Sequence, residues 1–195
     1  MVDVDGGADE VVIVPVAGGD RVGAPLVVHL GPDQPRGRVV RIDPSAGTAA
    51  VLAGALPAPN GISFDETSDG SYVSQYDANR MDHLALTEQG RQLRAIHPAV
   101  HVDTGAARID SNAVDADGNV HQGLHGRVAV QVLSPTGQHL TTVEADTPDD
   151  GAYSATGVAV RPGTREAVVT VSGPSGGFLH AFDALAGGTR QSNGG

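Results

Sequence analysis

The chain has no cysteine, no lysine and no tryptophan, and aromatic residues make up 3% of its 195 positions. Each absence removes a class of chemistry. Without cysteine there is no disulfide frame, no thiolate metal site and no thiol nucleophile. Without lysine there is no Schiff-base lysine and no phosphate loop of the Walker type. The 12 basic residues are all arginine and stand against 23 acidic ones, a formal net charge of −11. Phosphate contacts dominate affinity for nucleic acid, so no nucleic-acid partner is expected. Long apolar runs are missing too. A stretch such as Glu10 to Ala17 is far too short to span a bilayer, and no membrane partner is expected. The start, Met1-Val2-Asp3-Val4-Asp5, lacks the basic and apolar regions of a signal peptide, which predicts a soluble, cytoplasmic protein.

What is present points to one folded domain. The length suits a single core, and 39% hydrophobic residues argue against disorder. That core must rest on Val, Leu, Ile and Ala. With 27 glycines and 12 prolines the chain is rich in turns. Its apolar stretches are short and β-branched: Val11-Val12-Ile13-Val14, Arg38-Val39-Val40-Arg41-Ile42, Tyr72-Val73-Ser74-Gln75-Tyr76, Val128-Ala129-Val130-Gln131-Val132 and Ala167-Val168-Val169-Thr170-Val171. Bounded by Gly, Pro, Asp or Ser, they read as strands of an all-β protein.

A repeat specifies the architecture further. A strand followed by a turn occurs at Val2-Asp3-Val4-Asp5-Gly6, Gly61-Ile62-Ser63-Phe64-Asp65, Asn112-Ala113-Val114-Asp115-Ala116-Asp117-Gly118 and Gly157-Val158-Ala159-Val160. A second strand follows each turn, then Gly37-Arg38-Val39 or its relatives Arg80-Met81-Asp82, Gly126-Arg127-Val128 and Gly177-Phe178-Leu179. A fourth strand closes the unit, as at Ala49-Ala50-Val51-Leu52 and Gln138-His139-Leu140-Thr141-Thr142-Val143. Ile62 and Ala113 are 51 residues apart, and Ala113 and Val158 are 45 apart. Four strands at that period mark a β-propeller blade, so the expected fold is a propeller of about four four-stranded blades over residues 1–187, with a disordered Gly-rich tail over 188–195.

Some blade sequences are distinctive: Gly37-Arg38-Val39-Val40-Arg41-Ile42-Asp43-Pro44, Pro59-Asn60-Gly61-Ile62-Ser63-Phe64, Asp110-Ser111-Asn112-Ala113-Val114-Asp115-Ala116-Asp117-Gly118-Asn119-Val120 and Thr156-Gly157-Val158-Ala159-Val160. In order and spacing they resemble the gluconolactonase and regucalcin (senescence marker protein) family of six-bladed propellers. The resemblance covers residues 1 to 185, about two-thirds of such a ring by the blade period, and implies an incomplete, C-terminal portion. It also implies hydrolysis of a sugar lactone or related ester around one divalent metal, calcium first, with zinc or magnesium as alternatives. In the family the ligands are a first-blade Glu, two Asn and an Asp. Asn60 matches one ligand Asn. Asp110 matches the ligand Asp, which is also the proposed base. The first-blade Glu and the other Asn would fall before Met1. Ile109 and Ser111 stand where the family has Pro and Gly. Hard cations take such oxygen ligands, a metal polarises a lactone carbonyl, and an adjacent Asp can accept a proton from water. A non-catalytic propeller remnant or ligand-binding module is the rival reading. A strictosidine-synthase-like propeller is disfavoured, because such propellers lack the metal set that Asn60 and Asp110 match.

Other candidates have plainer readings. Asp115 and Asp117 fit a hairpin turn with Gly118 and Asn119. His97 with His101 and His121 with His125 have the spacing of helical zinc ligands, but Pro98 and Gly123 interrupt them and the context is strand. His125 keeps a possible contact with substrate. Gly173-Pro174-Ser175-Gly176-Gly177 matches the nucleophile-elbow pattern but runs into a strand, not a helix. Arg36, Arg38 and Arg41 lie close to Asp33 and Asp43 and read as a solvated surface.

Overall fold

The computed structural model describes residues 25–28, 37–43, 47–87, 92–146 and 151–190. The strands expected at Val2 to Asp5 and Val11 to Val14, as well as Arg36, lie outside the described residues. Four antiparallel sheets follow one another along the chain. The first joins β1 (Pro25–Val28), β2 (Gly37–Asp43) and β3 (Thr48–Leu56). The second joins β4 (Pro59–Phe64), β5 (Gly70–Gln75), β6 (Arg80–Thr87) and β7 (Gln92–His101). The third joins β8 (Arg108–Val114), β9 (Val120–His125), β10 (Ala129–Leu133) and β11 (His139–Glu144). The fourth joins β12 (Ser154–Val160), β13 (Glu166–Gly173) and β14 (Gly176–Asp183). Within each sheet the strands pair in sequence order, the up-and-down topology of propeller blades. Two sheets show the expected four strands and two show three among the described residues. A single 3-10 turn, Tyr76–Ala78, is the helical element among those residues, and no described helix is long and apolar enough to cross a membrane.

Alternation builds each blade. In β13, Ala167, Val169 and Val171 are buried while Glu166, Val168 and Thr170 are exposed, the period of two that a pleated strand imposes. Strands β5 and β10 are buried along their whole length, because their sheets are covered on both faces. Three apolar cores fill the gaps between four sheets. Val39, Ala53 and Leu56 meet Phe64, Val73, Leu84 and Leu86. Tyr72, Met81 and Val100 meet Ile109, Val120, Leu124 and Ala129. Ala113 and Val130 meet Ala155, Val158, Ala167, Val169 and Val171. Each fully buried Val or Leu contributes about 1.5–3 kcal/mol, so a core poor in aromatics is sustained by many small, well-fitted side chains.

The innermost strands of successive blades pack side by side: β1 on β4, β4 on β8, and β8 on β12. Among the described residues no comparable packing joins β12 back to β1. At the Gly-rich end, Gly187 and Gly188 fold back against two turns. Ala116 N donates to Gly187 O at 2.7 Å, and Gly188 bridges to both Asp115 and Pro162. A Cβ on Gly188 would lie 2.5 Å from Val160 O, so only glycine admits this close return of the backbone. Residues 191–195 lie outside the described part.

Candidate functional site

One irregularity recurs in three neighbouring blades. The register of β4 against β5 shifts between Pro59 and Ile62, that of β8 against β9 between Ile109 and Asn112, and that of β12 against β13 between Ala155 and Val158. Residues 60–61, 110–111 and 156–157 therefore occupy bulges at matching positions near the starts of the inner strands. A bulge re-aims side chains out of the regular pleat, and such bulges concentrate next to functional sites. Asn60 and Asp110 stand on two of them.

Gly61 brings the first two bulges together. A Cβ there would sit 2.6 Å from Asn112 N and Asp110 O, and 2.7 Å from Ser111 Cα. All three atoms are backbone, so the approach of β4 to β8 depends on a missing side chain. Across this seam Asn60 stands near enough to the Asp110 carboxylate to favour its charged form. Burial raises the Asp110 pKa above its ordinary 3.8, opposed by the nearby charge of His125 and by bonds from Ser111 N–H and Asn60.

A second pair stands at the same end of the blades. Tyr76 follows the last residue of β5, and His125 is the last residue of β9. Tyr76 Oη and His125 Nδ1 lie 2.8 Å apart. Burial, then the negative charge of Asp110, raises the Tyr76 pKa above 10.0, which keeps the phenol protonated. Beneath both pairs runs a buried polar chain. Ser63 Oγ donates to Asn112 Oδ1; Asn112 Nδ2 donates to Ser74 Oγ at 2.7 Å; Ser74 Oγ donates to Gln122 Oε1 at 2.7 Å; and Gln122 Nε2 donates to Ser111 O at 3.0 Å. It ties β4, β5, β8 and β9 together directly below the bulges, with each amide and hydroxyl partnered.

The other candidates lie elsewhere. Asp115 follows the last residue of β8 and is fully buried. Its Oδ1 accepts from Asp117 N and Asn119 N, and its Oδ2 lies 3.0 Å from His121 Nε2. His121 and His125 thus sit at opposite ends of β9 with different carboxylates. His97 is exposed, its ring tilted against that of His83, whose Nε2 lies 3.0 Å from Asp65 Oδ2. Ser175 lies in the hairpin between β13 and β14, so no strand-turn-helix elbow forms around it. Sequence reasoning missed Tyr76 and the third bulge. The signal for the bulge was present: Thr156-Gly157-Val158 repeats the pattern of Asn60-Gly61-Ile62.

Among the described residues no group of three or more His, Asp or Glu side chains converges as a metal cage. The donors on the bulges nevertheless fit a hard cation in kind. Asp110 offers a carboxylate whose charge burial penalises, and Asn60 offers an amide oxygen, the ligand types that calcium and magnesium prefer.

A fold of radiating antiparallel blades with its polar groups at one end of the inner strands is that of the propeller class. Residues 22–157 match the SMP-30/Gluconolactonase/LRE-like region family, and the chain belongs to that family. Lactonase drp35 of Staphylococcus epidermidis is 25% identical over 138 residues, covering 70% of this chain and 42% of the relative. Lactonase drp35 of Staphylococcus aureus is 23% identical over 162 residues, 80% of this chain and 50% of the relative. The chain thus spans about half the length of the curated relatives it matches. Two solved structures share the fold. The calcium-binding protein regucalcin of Agrobacterium tumefaciens superposes with a TM-score of 0.67 at 16% identity, over 87% of this chain and 62% of that one. A gluconolactonase of Xanthomonas campestris gives 0.61 at 17% identity, over 88% and 61%.

Proposed function

We propose that this chain carries the working site of a lactone hydrolase, with Asp110 as general base and Asn60 and Asp110 as oxygen ligands of a divalent metal. Calcium suits the donors best, and magnesium or zinc is a lesser fit. The substrate is a small sugar lactone or related ester. One observation carries the reading: two bulges, pressed together at Gly61, place Asn60 against a partly buried Asp110. Membership of a family whose curated relatives here are lactonases supports it.

The chemistry follows from the side chains. A carboxylate whose pKa is raised by burial is a stronger base than a solvated one. Asp110 takes a proton from water as that water adds to the lactone carbonyl carbon. The ring C–O bond then breaks, and the proton passes from Asp110 to the departing ring oxygen, giving the open hydroxy acid. Asn60, on the neighbouring bulge, favours the charged form of that carboxylate. A divalent cation, when bound by these oxygens, supplies positive charge that polarises the lactone carbonyl.

The test is hydrolysis of glucono-δ-lactone by the purified chain in calcium and after chelation, beside Asp110→Ala. The expected result is a calcium-dependent rate that Asp110→Ala reduces to spontaneous hydrolysis. Equal rates for the two proteins would overturn the catalytic assignment. A ligand-binding module without chemistry is the second reading, favoured by the single carboxylate on the three bulges. It predicts saturable lactone binding with no turnover.

A further inference from the structure

Tyr76 and His125 are 49 residues apart in sequence, yet both are fixed beside Asp110. Tyr76 N donates to Ala58 O at 2.9 Å, two residues ahead of Asn60. His125 pairs across the sheet with Arg108, two residues ahead of Asp110. The next residue, Gly126, donates from its N to Ser154 Oγ at 2.9 Å, at the start of β12. The pair therefore spans the mouth where the inner strands of three blades meet.

For a neutral imidazole, counting partners within the protein favours one direction of the Tyr76–His125 bond. Donation from Nδ1 would leave both the phenol proton and Nε2 without a partner among the described residues, whereas donation from the phenol leaves only Nε2–H. If the phenol donates, the imidazole proton resides on Nε2. That leaves one polar group, Nε2–H, without a partner in the described protein. It is a half-buried donor of set orientation next to the proposed base, and it has no part in the mechanism above.

We propose that His125 contacts substrate, its Nε2–H donating to a hydroxyl oxygen of the lactone held at Asp110, and that Tyr76 is a positioning residue that fixes the imidazole tautomer. The inference rests on the lactone reading of the site. The groups around the mouth explain why a hydroxylated lactone is the substrate favoured there. Asn60, Tyr76, Asp110 and His125 are all polar, and an unsubstituted alkyl lactone would leave the His125 Nε2–H unpaired. A site built to bond a substrate hydroxyl discriminates strongly against the analogue that lacks it.

The experiment compares kcat/KM for glucono-δ-lactone with that for δ-valerolactone in wild type, His125→Ala, His125→Gln and Tyr76→Phe. His125→Ala is expected to cut the preference for the hydroxylated lactone by roughly 10- to 100-fold, the worth of one lost hydrogen bond to a partly buried donor. Tyr76→Phe falls part of the way, and His125→Gln, which keeps an N–H donor, recovers part of the loss. An unchanged preference in His125→Ala would overturn the proposal. Imidazole nitrogen resonances supply a readout independent of turnover. Wild type should show the proton on Nε2 of His125, and Tyr76→Phe should show mixed tautomers. A proton on Nδ1 in wild type would refute the positioning role. If wild type hydrolyses neither lactone, the lactonase reading fails on its own, and D-gluconate decides the contact. A shift of the His125 Nε2–H signal on adding D-gluconate supports it, and no shift at saturating concentration overturns it.

Discussion

Replacing Gly61 by Ala perturbs the seam that holds the candidate site together. The added Cβ would meet Asn112 N and Asp110 O at 2.6 Å and Ser111 Cα at 2.7 Å. No flexible side chain is there to swing away. Strands β4 and β8 must separate by about 0.8 Å to bring those contacts out to 3.4 Å, the scale of overpacking that costs about 1–3 kcal/mol. For a chain of this length 2 kcal/mol lowers the melting temperature by roughly 4–8 °C. The same displacement moves Asn60 away from Asp110, and a misplacement near 1 Å costs on the order of 100-fold in rate. The assay pairs thermal melting with glucono-δ-lactone hydrolysis. Gly54→Ala on β3 is the control, since its Cβ would meet nothing within 4 Å. Gly61→Ala should melt lower and lose activity, while Gly54→Ala should match or slightly exceed wild type. If Gly61→Ala kept both the melting point and the rate of wild type, the close approach of the two bulges would be refuted.

Other outcomes follow from the buried polar groups. Burial pushes His121 below its ordinary 6.5 against the pull of Asp115, so the folded state resists a proton that the unfolded chain takes up below that value. Burial alone would raise Asp115, but bonds from His121 and Asn119 carry it below 3.8, and the stability it adds is lost as pH falls through that depressed value. Both signs agree: the melting temperature should fall as pH drops below 6.5 and continue to fall below 3.8, whereas a flat profile from pH 7 to 3 would contradict the pair's burial. Asp115→Ala strips partners from His121 and from the Asp117, Asn119 and Ala186 amides, and should cost about 3 kcal/mol or more in a denaturant titration. Asn112→Ala leaves Ser63 Oγ without its acceptor beneath the bulges and should cost about 1–3 kcal/mol, with a change under 0.5 kcal/mol counting against the polar chain.

Much of the fold is legible in the sequence because blades are local objects. A Val-rich run with Gly or Asp at its ends pairs with the next run along the chain, so Arg38 to Ile42 and Ala167 to Val171 already define β2 and β13. Asn60 and Asp110 came from a resemblance, and the structure sets them on two bulges whose backbones meet at Gly61. What sequence did not reveal depends on contacts between blades. Tyr76 and His125 meet only because β5 and β9 end at the same height in adjacent sheets. Asp115 reads as a hairpin-turn residue, and only the structure shows that residues 186–188 return over it. The bulges have no periodic signature, and only Gly61 and Gly157 hint at backbone that must pass close to something else.

Whether Asn60 and Asp110 act as one site is decided most directly by a double-mutant cycle on kcat/KM for glucono-δ-lactone in calcium. Asp110→Asn should lower the value by roughly 100-fold or more and Asn60→Ala by roughly 10-fold, with the double variant no worse than Asp110→Asn alone. Losses that multiply, or either single variant at the wild-type rate, would contradict a shared site.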